Sequence, residues 1–265
     1  MKLYALIAVL LTSLFSAQAS AEGGSSEPKH PEKQSWSWEG PFGTFDRQQL
    51  QRGYQVYKEV CAACHSMHLV SFRNLSQPGG PEFSAAQAKA IAMGMQVAAL
   101  DDKGEDIQRP ATLADRFPSP FPNEKAARAA NNNAYPPDLS VIVKARAHGI
   151  DAEGPDYVYS LLTGYSDPPS DFSLLPGLYY NPYFAGHQIA MPAPLASDGQ
   201  VTWPEGNPTA TKQQMAKDVV AFMTWAADPH MEDRKQLGVK VMIFLSFLSV
   251  LLFIAYKRQW KDVEH

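Results

Sequence analysis

Cys61, Cys64 and His65 stand together in the run VCAACHSMH, and those two cysteines are the only ones in 265 residues. Three chemistries use thiols at this spacing: a redox dithiol, half of a zinc site, and covalent attachment of haem. A thioredoxin-type dithiol is expected just after a strand, at a helix N-terminus. Zinc needs four ligands, and Cys61, Cys64, His65 and His68 would offer them as one tight cluster rather than two separated pairs. C-x-x-C-H is the attachment signature of c-type haem. Its spacing lets both sulfurs reach the two vinyl groups of one macrocycle while the adjacent imidazole approaches the iron.

A haem iron held by His65 needs a second axial ligand if it is to carry electrons, whereas an open position suits ligand binding or catalysis. Nine methionines are available. Met1 leaves with the leader, Met242 lies in an apolar run, and Met215 and Met223 belong to a helical stripe. Met93 and Met95 suit packing, Met67 is too close to His65, and Met231 lies beside the apolar run. Met191 remains, in HQIAMPAPL, where Pro192 and Pro194 stiffen the loop around its sulfur. His187, four residues earlier, competes for the role, and His148 is a more distant candidate.

Several elements must position these groups. Asp46 followed by Gln49 is a helix-start signal. Leu50, Tyr54, Tyr57 and Cys61 then recur with helical period, so the motif ends an amphipathic helix in which Gly53 is a close-approach point. Helices are expected from Ser84 to about Leu100 and from Asn123 to Ala130, separated by the irregular FPSPFP. PPDLSVIVKARAHG reads as a Pro-initiated helix ended at Gly149, and GPDYVYSLLTGY as another ended at Gly164. Ser166 to Pro208 is a long proline-rich loop region. A last domain helix opens at Thr211 and Gln214. Strand signals are almost absent.

The two ends of the chain set its location. Lys2, the apolar run from Leu3 to Phe15 and the small residues Ala19-Ser20-Ala21 read as a secretory signal peptide over residues 1–21. Residues 22–43 form an arm, polar and mobile to Ser35, then aromatic and laid across the domain surface through Trp36, Trp38, Phe42 and Phe45. Val241 to Tyr256 carries no charge and, extended to Gly238, is a short but adequate membrane span. Flanking cations are balanced, with Arg234, Lys235 and Lys240 before the span and Lys257, Arg258 and Lys261 after it, so orientation follows from the leader. The expected layout is a haem domain over 44–230, a tether over 231–237, a span over 238–256 and a cytoplasmic tail over 257–265.

With these motifs in order, the chain resembles the cytochrome c1 family, the haem subunit of the ubiquinol–cytochrome c reductase complex. The resemblance runs from about Trp36 to Trp260 and rests on VCAACHSM, SFRNL, ARAANN, PPDLSVIVKAR, YVYSLLTGY, GLYYNPYFAG, IAMPAPL and AKDVVAFMTWAADP. It implies a mainly α, class I cytochrome c-like haem domain with long Pro-rich loops and one C-terminal transmembrane helix. It further implies one haem c, joined to Cys61 and Cys64, with His65 and Met191 as axial ligands. Arg146 is similar to the family's propionate-binding arginine. Tyr157, Tyr179, Tyr180 and Tyr183 would build the haem pocket, and Pro136 or Pro137 would offer a carbonyl to the outer nitrogen of His65. Where the family often has Gly, this chain has Asn133, which also tolerates a left-handed backbone.

The same resemblance implies partners: a cytochrome b subunit, a Rieske iron–sulfur protein, a soluble or membrane-bound cytochrome c, and membrane lipid, with no nucleic acid. The setting would be a bacterial inner membrane with the haem domain in the periplasm, in a respiratory or photosynthetic chain. Quinol chemistry would belong to the complex and not to this subunit. Charge bears on the acceptor. From Glu22 to His230, 16 basic residues stand against 23 acidic ones, a net of −7. Ala147 to Thr211 has no Lys or Arg, while Asp151, Glu153, Asp156, Asp167, Asp171, Asp198 and Glu205 fall within it. That pattern suits a basic cytochrome c, or solubility alone. A membrane-anchored haem enzyme with an open iron, such as a peroxidase, is the alternative of a different class, and an assembly subunit with a purely structural haem is a third.

Overall fold

The computed structural model describes residues 27–147 and 153–262. The signal peptide, the first part of the arm, His148, Gly149, Asp151 and the last three residues lie outside the described residues. Helix α1 (Arg47–Glu59) opens with the Asp46 carboxylate accepting the Gln48 and Gln49 amides. Helix α2 (Ala85–Met93) is held by a reciprocal Ser84–Gln87 capping box, α3 (Glu124–Ala130) by Asn123, and α6 (Lys212–Ala227) by Thr211. Between them lie α4 (Ile142–Ala145) and α5 (Glu153–Thr163). Each cap satisfies amides that the first turn leaves without partners.

Helices α1 and α6 form the central crossing, and α5 packs on the far side of α6. Gly53 lets the two backbones meet: a Cβ placed there would stand 2.0 Å from the Asp218 carbonyl oxygen and 2.8 Å from Phe222 Cβ. Around the crossing, Tyr54, Tyr57, Phe117 and Phe222 pack with ring centroids 5.6–6.0 Å apart. Leu50, Val56, Val219, Val220 and Phe222 are fully or almost fully buried, each such burial stabilising by about 1.5–3 kcal/mol. The buried Asp218 is neutralised by Arg52, which donates to it at 2.8 and 3.2 Å, while Gln214 adds a third bond at 2.8 Å.

Four expectations are corrected. The helix from Ser84 stops at Met93, and Gln96–Leu100 (β1) instead pairs antiparallel with Asp106–Pro110 (β2). The cause is the turn between them: Asp101 accepts the Lys103 and Glu105 amides, and Gly104 takes φ 82°. The PPDLSVIVKAR segment is helical only over Ile142–Ala145, because the Leu139 amide is spent on the Ser66 carbonyl at 2.8 Å. The arm's described part is pinned rather than free, with the Lys29 amide on the Pro182 carbonyl, Glu32 on Ser160 and Gln34 on Asp156. Trp36 and Trp38 are buried and stacked at 4.8 Å, so only Phe42 of that aromatic run is open.

The fourth concerns residues 231–237, which are not a loose tether. They are the first turns of α7 (Met231–Gln259), one continuous helix. Every side chain from Val241 to Tyr256 is exposed, and the helix is long and apolar enough to cross a membrane. Ser166 to Pro208 is irregular as expected, apart from a 3₁₀ turn (Ala185–His187) and the two-residue strands β3 (Tyr179–Tyr180) and β4 (Gln188–Ile189).

Replacing Gly53 with Ala should push α1 off α6. Overpacking of this kind costs about 1–3 kcal/mol or more, and a backbone carbonyl cannot move aside as a side chain can. Denaturant melts of the haem-loaded chain should show that loss; a midpoint equal to wild type would mean that the crossing is looser than described.

Candidate functional site

Helix α1 tightens into a 3₁₀ turn over Cys61–Ala63, with the Cys64 and His65 amides both donating to the Cys61 carbonyl at 3.1 and 2.9 Å. In such a turn residues i and i+3 eclipse, so Cys61 and Cys64 project along one edge of the chain. Both thiols are free, Cys61 half-buried and Cys64 exposed. Burial, with the Cys64 charge adding to it, pushes the Cys61 thiol up to about 12. Among the described residues no group of three or more His, Cys, Asp or Glu is placed to hold a metal ion.

The His65 ring is oriented by its Nδ1, which lies 2.8 Å from the Pro137 carbonyl oxygen. A carbonyl can only accept, so Nδ1 carries the proton and Nε2 is left with its lone pair for a metal. Burial lowers the imidazole pKa against the opposing pull of that carbonyl bond and of Asp138, a direction that favours the neutral ring a ligand must be. This donor set fits a c-type haem: two thiols on one edge, then a neutral imidazole of fixed tautomer.

Asp138 is the residue the sequence reading missed. Its carboxylate accepts from Ser66 Oγ at 2.8 Å and from the His68 and Ser140 amides at 2.9 Å, and it pairs with His68 Nδ1. Ser140 Oγ accepts the Leu69 amide, and Arg116 holds the His68 carbonyl. The PPDLS segment is thereby stitched alongside the motif, which delivers the Pro137 carbonyl to His65. The signal lay in PPDLS itself, since Asp two residues before Ser commonly bonds local backbone amides. Burial acts to raise the Asp138 pKa, but hydrogen bonds from Ser140, His68 and Ser66 prevail and hold it at about 2.

Met191 is half-buried against the same core as Cys61. Its carbonyl accepts the Tyr165 hydroxyl at 3.0 Å, and Gln200 ties the following Pro194 carbonyl at 2.9 Å. Tyr165 interacts electrostatically with Tyr157, and Tyr157 with Arg146, so the expected pocket residues Tyr157 and Arg146 form one neighbourhood with Tyr165. Burial raises both phenols, and the Arg146 charge works against the rise at Tyr157. Tyr165 is a second residue missed at first, visible afterwards as the last aromatic of YVYSLLTGY. His187 packs beside the paired Phe172 and Tyr180 rings with Nδ1 3.2 Å from the Pro182 carbonyl. Tyr183 is buried with its hydroxyl on Glu32 at 2.8 Å, and Tyr179 is exposed. Asn132 and Asn133 adopt φ 48° and 64°, so the turn tolerates Asn where Gly was expected.

Residues 36–263 match the model of the Cytochrome C1 family. The chain is 46% identical to cytochrome c1 of Rhodospirillum rubrum over 94% of its own length and 93% of that protein's. It is 48% identical to a mitochondrial cytochrome c1 haem protein of Arabidopsis thaliana, covering 92% and 76%. It is also 47% identical to the cytochrome b/c1 protein of Bradyrhizobium diazoefficiens, spanning 96% of this chain but only 38% of that longer one. The chain belongs to the cytochrome c1 family. Its cofactor is one covalently bound haem c.

The Asp138 clasp has a pH signature. A carboxyl lowered from 3.8 in the open chain to about 2 in the folded one adds stability that is complete above about pH 5 and is lost as pH falls toward 2. Asp138→Asn should cost about 2 kcal/mol at neutral pH, the range for hydrogen bonds to a charged group, and should flatten the acid limb of the melting profile. An equal loss at pH 7 and pH 2.5 would show that the carboxylate charge contributes nothing.

Proposed function

We propose that this member of the cytochrome c1 family is a membrane-anchored, single-haem electron carrier of a quinol–cytochrome c reductase. Cys61 and Cys64 form the thioether links, His65 is one axial ligand and Met191 the other. When bound, haem c supplies a one-electron iron centre. The observation that carries the reading is the His65 Nδ1–Pro137 carbonyl bond of 2.8 Å, which prepares a neutral imidazole directly after two eclipsed thiols. Met191 supports it, because two prolines and the Tyr165 bond hold its backbone without engaging its sulfur. Arg146 is exposed and, among the described residues, makes no ion pair, which leaves its guanidinium for a haem propionate. Tyr157 lines the same side.

One electron enters from a Rieske-type iron–sulfur partner and leaves to a soluble or membrane-bound cytochrome c. A cytochrome b subunit and lipid surround α7. The leader over residues 1–21 exports the domain across a bacterial inner membrane, leaving the tail after Tyr256 in the cytoplasm. The acidic stretch serves the acceptor through its free members. Asp156 accepts from Gln34 and Trp36, and Asp198 accepts the Lys212 amide, so both serve the fold. Asp167 and Asp171 are exposed.

An absorption spectrum of the denatured protein in alkaline pyridine should report one haem with two thioether bonds. The reduced protein should bind carbon monoxide slowly or not at all, and Met191→Leu should bind it readily at a lower reduction potential. Rapid binding by wild type would favour the open-iron enzyme instead. If His187→Ala opened the iron and Met191→Leu did not, the ligand would be His187.

Asp167→Asn with Asp171→Asn should slow reduction of a basic cytochrome c and flatten its salt dependence, with the haem spectrum unchanged. Screening lengths contract from about 30 Å at 0.01 M to about 10 Å at 0.1 M, so stopped-flow rates across that range decide the matter. Wild-type rates and slope would place the docking surface elsewhere.

A further inference from the structure

Three separate clamps grip the first turn and a half of α7. Glu232 accepts the Phe45 amide at 2.8 Å and both terminal nitrogens of Arg47 at 2.7 Å. Arg47 is braced in turn by Glu82 at 2.9 Å and by the Phe45 and Gly79 carbonyls. Lys235 donates to the Trp38 and Gly43 carbonyls. Arg234 pairs through two nitrogens with Asp228, which also meets Lys144 of α4 at 3.3 Å. Met231 is buried beneath them.

The directions of these clamps matter more than their number. Successive residues point about 100° apart around a helix of 3.6 residues per turn. Arg234 therefore leaves the axis about 160° from Glu232, and Lys235 lies between them, about 60° from Glu232 and 100° from Arg234. A helix held along one stripe can rock about it, but one held from opposed directions cannot. Exposed ion pairs are usually weak. The Glu232 side chain is only 11% exposed, and its forked bond to Arg47 is of the strong, geometrically specific kind. Just past the clamps the helix parts from the domain. A cleft of about 340 Å³ opens between Pro41–Thr44 and Gln236, Val239 and Lys240, the space into which an unclamped helix would swing.

We propose that Arg47, Glu232, Arg234 and Lys235 are positioning residues that lock the attitude of the haem domain on its membrane helix. The inference rests on the reading of the chain as a membrane-anchored electron carrier. The lock holds the redox site at one height and tilt above the bilayer, so the partners must travel to it. Electron-transfer rates fall exponentially with distance, and a domain that swayed on a tether would spread them widely.

The test measures geometry and uses no electron transfer. Spin labels are placed on Lys58→Cys and Lys257→Cys in the full-length, haem-loaded chain in phospholipid nanodiscs, the native cysteines being consumed as thioethers. The wild-type background should give one narrow distance distribution. Glu232→Gln with Lys235→Met should broaden it at least twofold while the haem absorption spectrum stays unchanged, and Lys235→Arg, which can still donate to both carbonyls, should keep it narrow. If the double variant loses haem, Glu232→Gln alone, which weakens the one clamp opposed to Arg234, is read in the same way. A wild-type width in the haem-loaded variant would overturn the lock. An open or absent haem would instead count against the electron-carrier reading and would leave the wild-type width to be judged independently.

Discussion

Helix α1 and helix α6 touch backbone to backbone at Gly53, and most of the molecule is arranged by that contact. The haem motif extends the C-terminal end of α1, while α6 leads within four residues into the membrane helix. The crossing angle of one pair therefore relates the redox site to the anchor. No longer residue would allow it, because the Asp218 carbonyl already occupies the place of a side chain. The same turn of α6 brings the Asp218 carboxylate into the core, where Arg52 must accompany it. Breaking such a pair by removing one partner costs about 3–5 kcal/mol.

Regular structure ends a short way from this crossing. The site is completed by loops, and hydrogen bonds to backbone groups do the work that a sheet would do elsewhere. Asp138 ties PPDLS to the motif, Tyr165 and Gln200 hold the Met191 loop, and Glu32 reaches Tyr183 from the N-terminal segment. Loops of this length without strands of their own are usually functional. Here the Met191 loop is packed against the same core as Cys61.

The amphipathic stripe of α1, the caps at Asp46, Asn123 and Thr211, the apolar span after Lys240 and the C-x-x-C-H signature were all legible in the residues, because each depends on neighbours within a turn or two. The same holds for Met191 as a candidate, since two flanking prolines are a local feature. The hairpin at 96–110 was missed although its turn chemistry is local, because an alanine-rich run reads equally well as helix until Asp101 and Gly104 are weighed. The loose arm and tether were misjudged for another reason. Polar composition suggested freedom, and most of the partners that remove it, such as Asp156 for Gln34 and Phe45 for Glu232, lie more than a hundred residues away.

By itself, then, the chain of residues determined the helices, the membrane span, the two thiols with their imidazole, and through them the family and its cofactor. Tertiary structure alone decided that the carbonyl of Pro137 meets His65, that Asp138 is the clasp behind it, and that Tyr165 supports Met191. It alone turned residues 231–237 from a spacer into a gripped helix, and tied Asp156 and Asp198 to backbone amides while leaving Asp167 and Asp171 exposed. The physical reason is one of range. Periodicity and capping are encoded between residues a few positions apart, whereas a hydrogen bond between Arg47 and Glu232 exists only after the intervening chain has packed.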